Sequence, residues 1–174
     1  MEIKVLPPDH LTWNGRRVRC ALGRSGILSD KQEGDGATPA GTFPLRRVLY
    51  RADRLPAPQT GLPVQALGPD DGWCDDPADP AYNRLIQRPF AARHEKLWRR
   101  DHVYDVIVEI GHNDDPPRPG LGSAVFIHVA RPGFDPTEGC VALRIEDLLA
   151  LLPGCDEATV LAISAGKSTD TPTR

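Results

Sequence analysis

The two residues best suited to covalent chemistry are Cys140 and His128. A thiolate is the nucleophile in cysteine chemistry. A free Cys is only a few per cent thiolate at neutral pH, so an imidazole within hydrogen-bond reach is its usual activator. His128 precedes Cys140 by twelve residues, with Pro132, Gly133 and Pro136 between them, so the chain can turn back and set one residue beside the other. Gly139 lets the backbone come close to a ligand, so amide N–H groups near Cys140 can face a developing oxyanion. Such a set performs acyl transfer. The same pair also suits a buried thiol and a structural histidine, because free Cys is among the most buried residue types. Spacing alone leaves both readings open.

The other cysteines, Cys20, Cys74 and Cys155, have no adjacent base and form no C-x-x-C pair, so each reads as a small buried hydrophobe rather than a zinc or redox ligand. The cluster His112-Asn113-Asp114-Asp115 supplies too few ligands for calcium or zinc and reads as a turn bordering a cleft. No metal and no cofactor is expected. Trp73 and Arg131 can line a peptide-binding surface, although a lone Trp also suits a core and a lone Arg a solvated surface. The Thr137 hydroxyl, three residues before the thiol, either holds its loop or touches substrate.

These side chains must be positioned by short strands. Pro (18) and Gly (16) are frequent and aromatics make up only 6%, which predicts a loop-rich, mainly β chain. Strands are predicted at residues 3–5, 16–22, 45–50, 104–110, 123–129 and 159–163, with a further element leading from Thr137 through Leu143. The near-continuous apolar run of 123–129 suits a buried central strand that ends on His128. Residues 145–152 read as a short amphipathic helix stopped by Pro153-Gly154, and 91–100 has weak helical character with Leu97 and Trp98 as anchors. Residues 23–43 form a long polar connection, and 55–88 form a turn-rich insertion over a sheet face. Residues 1–165 are expected to be one domain and 166–174 a flexible tail.

At 174 residues and 19.0 kDa, one domain is expected to bury roughly 70% of the surface its unfolded chain exposes. The formal charge of −3, from 21 basic and 24 acidic residues, marks out no single-sign field for nucleic acid or anionic lipid. Neither partner is expected. The N-terminus lacks the apolar core of a secretory signal, and no run approaches the roughly 18 apolar residues of a membrane span. The sequence as written therefore predicts a cytoplasmic protein, or an envelope one if its true start lies upstream. Oligomeric state is not legible.

The motif Pro136-Thr137-Glu138-Gly139-Cys140-Val141-Ala142-Leu143 resembles the nucleophile motif of the L,D-transpeptidase catalytic domain, also called YkuD or ErfK-like, in its P-T-x-G-C-V-A-L branch. Five further blocks are similar: Thr38-Pro39-Ala40-Gly41-Thr42-Phe43, Gly72-Trp73-Cys74-Asp75-Asp76-Pro77, Tyr82-Asn83-Arg84-Leu85, Gly111-His112-Asn113 and Gly122-Ser123-Ala124-Val125-Phe126-Ile127-His128. Together they span roughly residues 20 to 152. The resemblance implies a sandwich-type β domain with one or two short helices. It implies Cys140 as nucleophile, His128 as base, the Val129 carbonyl as the group orienting the imidazole, and the backbone at Gly139 and Cys140 as the oxyanion site. Substrate contacts would come from Thr137, Ser123, Arg131, His112, Asn113 and Trp73. The implied substrate is a peptidoglycan stem peptide or muropeptide, cut between diaminopimelate and D-alanine through a thioester.

The chain departs from the broader family at Glu138, where His or Lys is common, at Ala142, where Arg or Asn is common, and in a shorter His-to-Cys loop. An amine acceptor would make the enzyme a transpeptidase in wall biogenesis, and water would make it an L,D-carboxypeptidase trimming tetrapeptides in recycling. The rival classes are a non-catalytic peptidoglycan-binding domain and a cysteine peptidase acting on proteins.

Overall fold

Short aliphatic and β-branched runs separated by Pro and Gly give fourteen strands and one α-helix within residues 1–165, the part of the chain that the computed structural model describes. The expected tail at 166–174 lies outside the described residues. Strands β1 (Glu2–Leu6), β2 (His10–Trp13) and β3 (Arg16–Arg19) form an antiparallel meander. Two-residue strands β4 (Ile27–Leu28) and β5 (Thr38–Pro39) pair with each other. They are followed by β6 (Gly41–Tyr50) and β7 (Val64–Ala66). Strands β8 (Asp71–Cys74), β9 (Leu85–Gln87) and β10 (His94–Lys96) make a separate three-stranded sheet with β8 in the middle. The chain continues through β11 (Val106–Ile110), β12 (Phe126–Val129) and β13 (Val141–Leu143), the helix α1 (Ile145–Leu151) and β14 (Val160–Ile163).

The main sheet runs β13-β12-β11-β6-β14-β1-β2-β3, with β7 added beside β6. Ten-residue β6 belongs to both halves of it. Residues Gly41–Pro44 pair with β14, and Leu45–Tyr50 pair with β11. One apolar cluster joins the two halves, with Ile3, Val5, Leu11, Leu161 and Ile163 meeting Val48, Val108, Ile127, Val141 and Leu143, and Leu148 and Leu151 of α1 closing one side. This is the mainly β, sandwich-like architecture the sequence predicted, with a single α-helix and one short 3-10 turn at Leu152–Gly154. No helix among the described residues is long and apolar enough to cross a membrane.

The half built from β6, β11, β12 and β13 is covered on both faces. Strand residues alternate between faces, so Val106, Val108, Ile127 and Val129 enter the main core while Ile107, Leu49 and Phe126 face a second cluster. Trp73 and Leu97 from the small sheet complete that second cluster, together with Tyr104 and Cys140. Double coverage explains why 123–129 reads as a nearly unbroken apolar run.

Several elements differ from the sequence expectation. The segment 91–100 is not helical. His94–Lys96 pairs with Gly72–Cys74, and this ladder, together with the full burial of Leu97, overrides a weak helical preference. Strand β2 was not anticipated, although the hairpin turn Asn14-Gly15 has positive φ at both positions (44° and 76°), as a two-residue primed turn requires. The strand expected over 16–22 stops at Arg19, and the one expected over 45–50 begins earlier, at Gly41. The strand expected over 123–129 begins only at Phe126, because Ala124 takes a φ of 52°. The insertion at 55–88 contains β7, β8 and β9.

If the small sheet is held by apolar docking onto the main one, Leu97→Ala should destabilise the protein by about 2–5 kcal/mol. Denaturant unfolding monitored at the tryptophans checks this.

Candidate active site

The parallel pairing of β12 with β13 sets Ile127 opposite Val141 and His128 opposite Ala142. Cys140, the residue before β13, therefore comes level with Phe126, whose backbone N–H donates to the Cys140 sulfur at 3.3 Å. The thiol in turn donates to the Ala124 carbonyl at 3.2 Å. Residues 126 and 128 share a face of β12, so the thiol and the imidazole both line one cavity of about 670 Å³.

The loop before the thiol is tied down on two sides. Thr137 N–H donates to the Leu22 carbonyl at 2.9 Å, and Arg24 N–H donates to the Thr137 carbonyl at 2.8 Å. The Thr137 hydroxyl accepts from Gly139 N–H at 3.1 Å and donates to the Cys140 carbonyl at 2.7 Å. Of the two uses expected for Thr137, holding the loop is the one realised in these contacts, although the residue also lines the cavity. Gly139 has a φ of 138°, and a Cβ there would lie 2.7 Å from the Ala37 carbonyl oxygen. Only glycine permits this approach. Gly139 N–H, one of the two backbone donors expected at the oxyanion site, is committed to Thr137.

His128 is buried, and its Nδ1 lies 3.0 Å from the Val129 carbonyl oxygen. A carbonyl only accepts, so Nδ1 carries the proton and Nε2 is the basic nitrogen. Tyr104 packs edge-on against the ring at 5.4 Å between centroids. Burial lowers the His128 imidazole to about 4, the Val129 carbonyl opposing this in part. Burial also pushes the Cys140 thiol up to about 12, with the Glu95 carboxylate adding to the effect. Burial thus favours the neutral form of both partners.

Ser123 and Arg131 also line the cavity. Ser123 donates to Glu33 at 2.7 Å, and Arg131 reaches Asp101 at 3.3 Å. His112, Asn113 and Trp73, expected as substrate contacts, do not line it. Trp73 is buried and packs edge-on to Phe126 at 5.0 Å beneath the site. His112 packs edge-on against Phe43 at 5.4 Å between centroids, with its Nε2 3.0 Å from the Leu121 carbonyl. Asn113 donates from its side chain to the carbonyls of Arg118 and Gly122, closing the 113–122 loop. Cys20, Cys74 and Cys155 are buried and free, as expected.

Sequence reasoning gave Asn83 no role, yet it ties these pieces together. Its Oδ1 accepts from Trp73 Nε1 at 2.9 Å and from Ala124 N–H at 3.1 Å, and its Nδ2 donates to the carbonyls of His112 and Asn113. Asn83 thereby holds Ala124 in its left-handed conformation, which costs a non-glycine residue about 1–3 kcal/mol and aims the Ala124 carbonyl at the thiol. The cavity's ionic residues were also missed: Lys31, Glu33, Glu95 and Arg99 lie far from Cys140 in the chain and gather only on folding, while Asp135 stands five residues before it. No cluster of three or more His, Cys, Asp or Glu side chains suited to a metal occurs among the described residues.

In a comparison with known families, the model of YkuD, the L,D-transpeptidase catalytic domain, matches residues 3–163. No curated protein and no solved structure matches the chain significantly.

Replacing Asn83 with Ala leaves buried donors and acceptors unpaired at about 1–3 kcal/mol each. Asn83→Ala should therefore lower stability measurably and raise the accessibility of Cys140 to a thiol reagent, read by mass. A second expectation concerns pH. The folded His128 value lies below the ordinary 6.5, so the unfolded chain binds a proton that the folded one refuses. Stability should be unaffected by this group above about pH 6.5 and should fall as pH drops toward 4, by on the order of 3 kcal/mol. Denaturant midpoints measured from pH 7 to 4 should show a shallower decline in His128→Gln.

Proposed function

The chain belongs to the L,D-transpeptidase catalytic domain family, and from that premise we propose that it transfers the acyl group of a peptidoglycan stem peptide through a thioester on Cys140. The observation that carries this reading is the convergence of a thiol and an oriented neutral imidazole on one cavity, with Nδ1 held by the Val129 carbonyl.

In this reading Cys140 Sγ attacks the diaminopimelate carbonyl carbon while His128 Nε2 takes the thiol proton. Burial disfavours a stored thiolate, so in this reading proton transfer accompanies attack. The carbonyl electron pair moves to oxygen, where the Cys140 N–H stabilises it. Collapse breaks the carbon–nitrogen bond, and the proton on His128 passes to the departing amine of D-alanine. An amine acceptor then attacks the thioester and restores the thiol, giving transpeptidation. Water in its place gives an L,D-carboxypeptidase.

Mass spectrometry of a diaminopimelate-containing tetrapeptide, incubated with the protein with and without free D-methionine, tests the proposal. Exchange of the terminal residue is expected for a transferase and a tripeptide alone for a carboxypeptidase. Both should vanish in Cys140→Ala and fall by about 10²–10⁴-fold in His128→Gln. Turnover that survives in Cys140→Ala would overturn the assignment.

A further inference from the structure

Charge is unevenly distributed around the cavity. Glu95 lies toward the thiol, where its carboxylate acts on Cys140, and its own oxygen accepts from the Tyr104 hydroxyl at 2.7 Å. On the imidazole side lie two guanidiniums, Arg99 and Arg131, which share the carboxylate of Asp101. Arg99 bonds both oxygens of Asp101, at 2.8 and 2.7 Å. Arg131 makes a single 3.3 Å contact, and about half of its side chain is exposed. Two cations on one anion leave a net charge of about +1, and most of the Arg131 fork remains free to bind a ligand. Asp101 is held down at about 2, chiefly by its bonds from Arg99, so the trio keeps this charge through the physiological range.

The trio is fixed in place. Arg54 donates to the carbonyls of Arg99, Arg100 and Asp101, and buried Arg51 donates to the Arg99 carbonyl at 2.7 Å while stacking on Trp98. Arg131 itself follows β12 three residues after His128. Arg99 lies over the Tyr104 ring at 5.3 Å, the same ring packs edge-on against His128, and both guanidiniums line the cavity together with the imidazole.

We propose that Arg131, anchored with Arg99 by Asp101, docks the free α-carboxylate of the departing residue, so that the enzyme selects peptides ending one residue beyond the cleaved bond. This rests on the acyl-transfer reading, in which His128 protonates the departing amine. An amino-acid leaving group carries its carboxylate two bonds from that nitrogen, within reach of a side chain beside the imidazole. A guanidinium fork matches a carboxylate in shape and charge, whereas a chain continuing past this residue would bring a neutral amide to the same place.

The test compares kcat/KM for a tetrapeptide ending in free D-alanine with that for the same peptide ending in D-alaninamide. The wild type should favour the acid by about 10–100-fold, the range given by a charge-assisted hydrogen bond. Arg131→Ala should collapse this ratio toward one, and Arg131→Lys should restore part of it. A wild type indifferent to the terminus, or an Arg131→Ala variant that keeps the ratio, would overturn the proposal. A second arm needs no turnover: NMR titration of Cys140→Ala with N-acetyl-D-alanine and with its amide. The acid alone should bind, and adding Arg131→Ala should abolish that binding. Selective acid binding without cleavage would leave the carboxylate site standing and sink the reaction. Cleavage without acid preference would do the reverse.

Discussion

The parallel ladder between Phe126–Val129 and Val141–Leu143 is the constraint on which the site depends. It joins two segments separated by a Pro/Gly loop and fixes their relative register. That register puts the sulfur of Cys140 against the backbone of Phe126 and leaves His128 on the same face two residues further along. A one-residue slip would turn Phe126 and His128 toward the main core and bring Ile127 to the cavity. The alternation that fills the core with Ile127, Val129, Val141 and Leu143 therefore also determines where Cys140 and His128 meet the cavity. Stability and site geometry rest on the same hydrophobic pattern.

Covering both faces of this half-sheet has an electrostatic consequence. The small β8–β10 sheet and Tyr104 pack against the side that carries the thiol, so burial disfavours both the thiolate and the imidazolium. Burial of this kind disfavours the thiolate, the form of a cysteine that reacts with oxidants and alkylating agents. Lys31, Arg99 and Arg131 line the same cavity as the thiol and the imidazole.

Asn83 connects fold to site in a different way. One side chain satisfies the Trp73 indole, the Ala124 amide and two loop carbonyls, and so links the small sheet, the strand entry before Phe126 and the turn at 112–113. It holds Ala124 in an unfavourable backbone conformation. That local strain is offset by hydrogen bonds the buried groups would otherwise lack. Trp73, His112 and Asn113 surround this hub, and their contribution to the site is to support it from behind.

The sequence alone determined the mainly β class, most of the main-sheet strands and the short helix before Pro153, and it singled out Cys140 and His128 as the candidate pair. These are local matters: period-two alternation, Pro and Gly punctuation and a contiguous nucleophile motif are all written within a few residues of one another. Tertiary structure decided the rest. His94–Lys96 became a strand because Gly72–Cys74 offered it a ladder, which a weak local propensity cannot reveal. Thr137 turned inward because Gly139 N–H and the Cys140 carbonyl lay within reach of its hydroxyl. Glu33, Glu95 and Arg99 entered the cavity from segments distant in the chain, so no spacing could have singled them out. Side chains that meet only across non-consecutive elements leave no pattern in one dimension, and the charges around this site are of that kind.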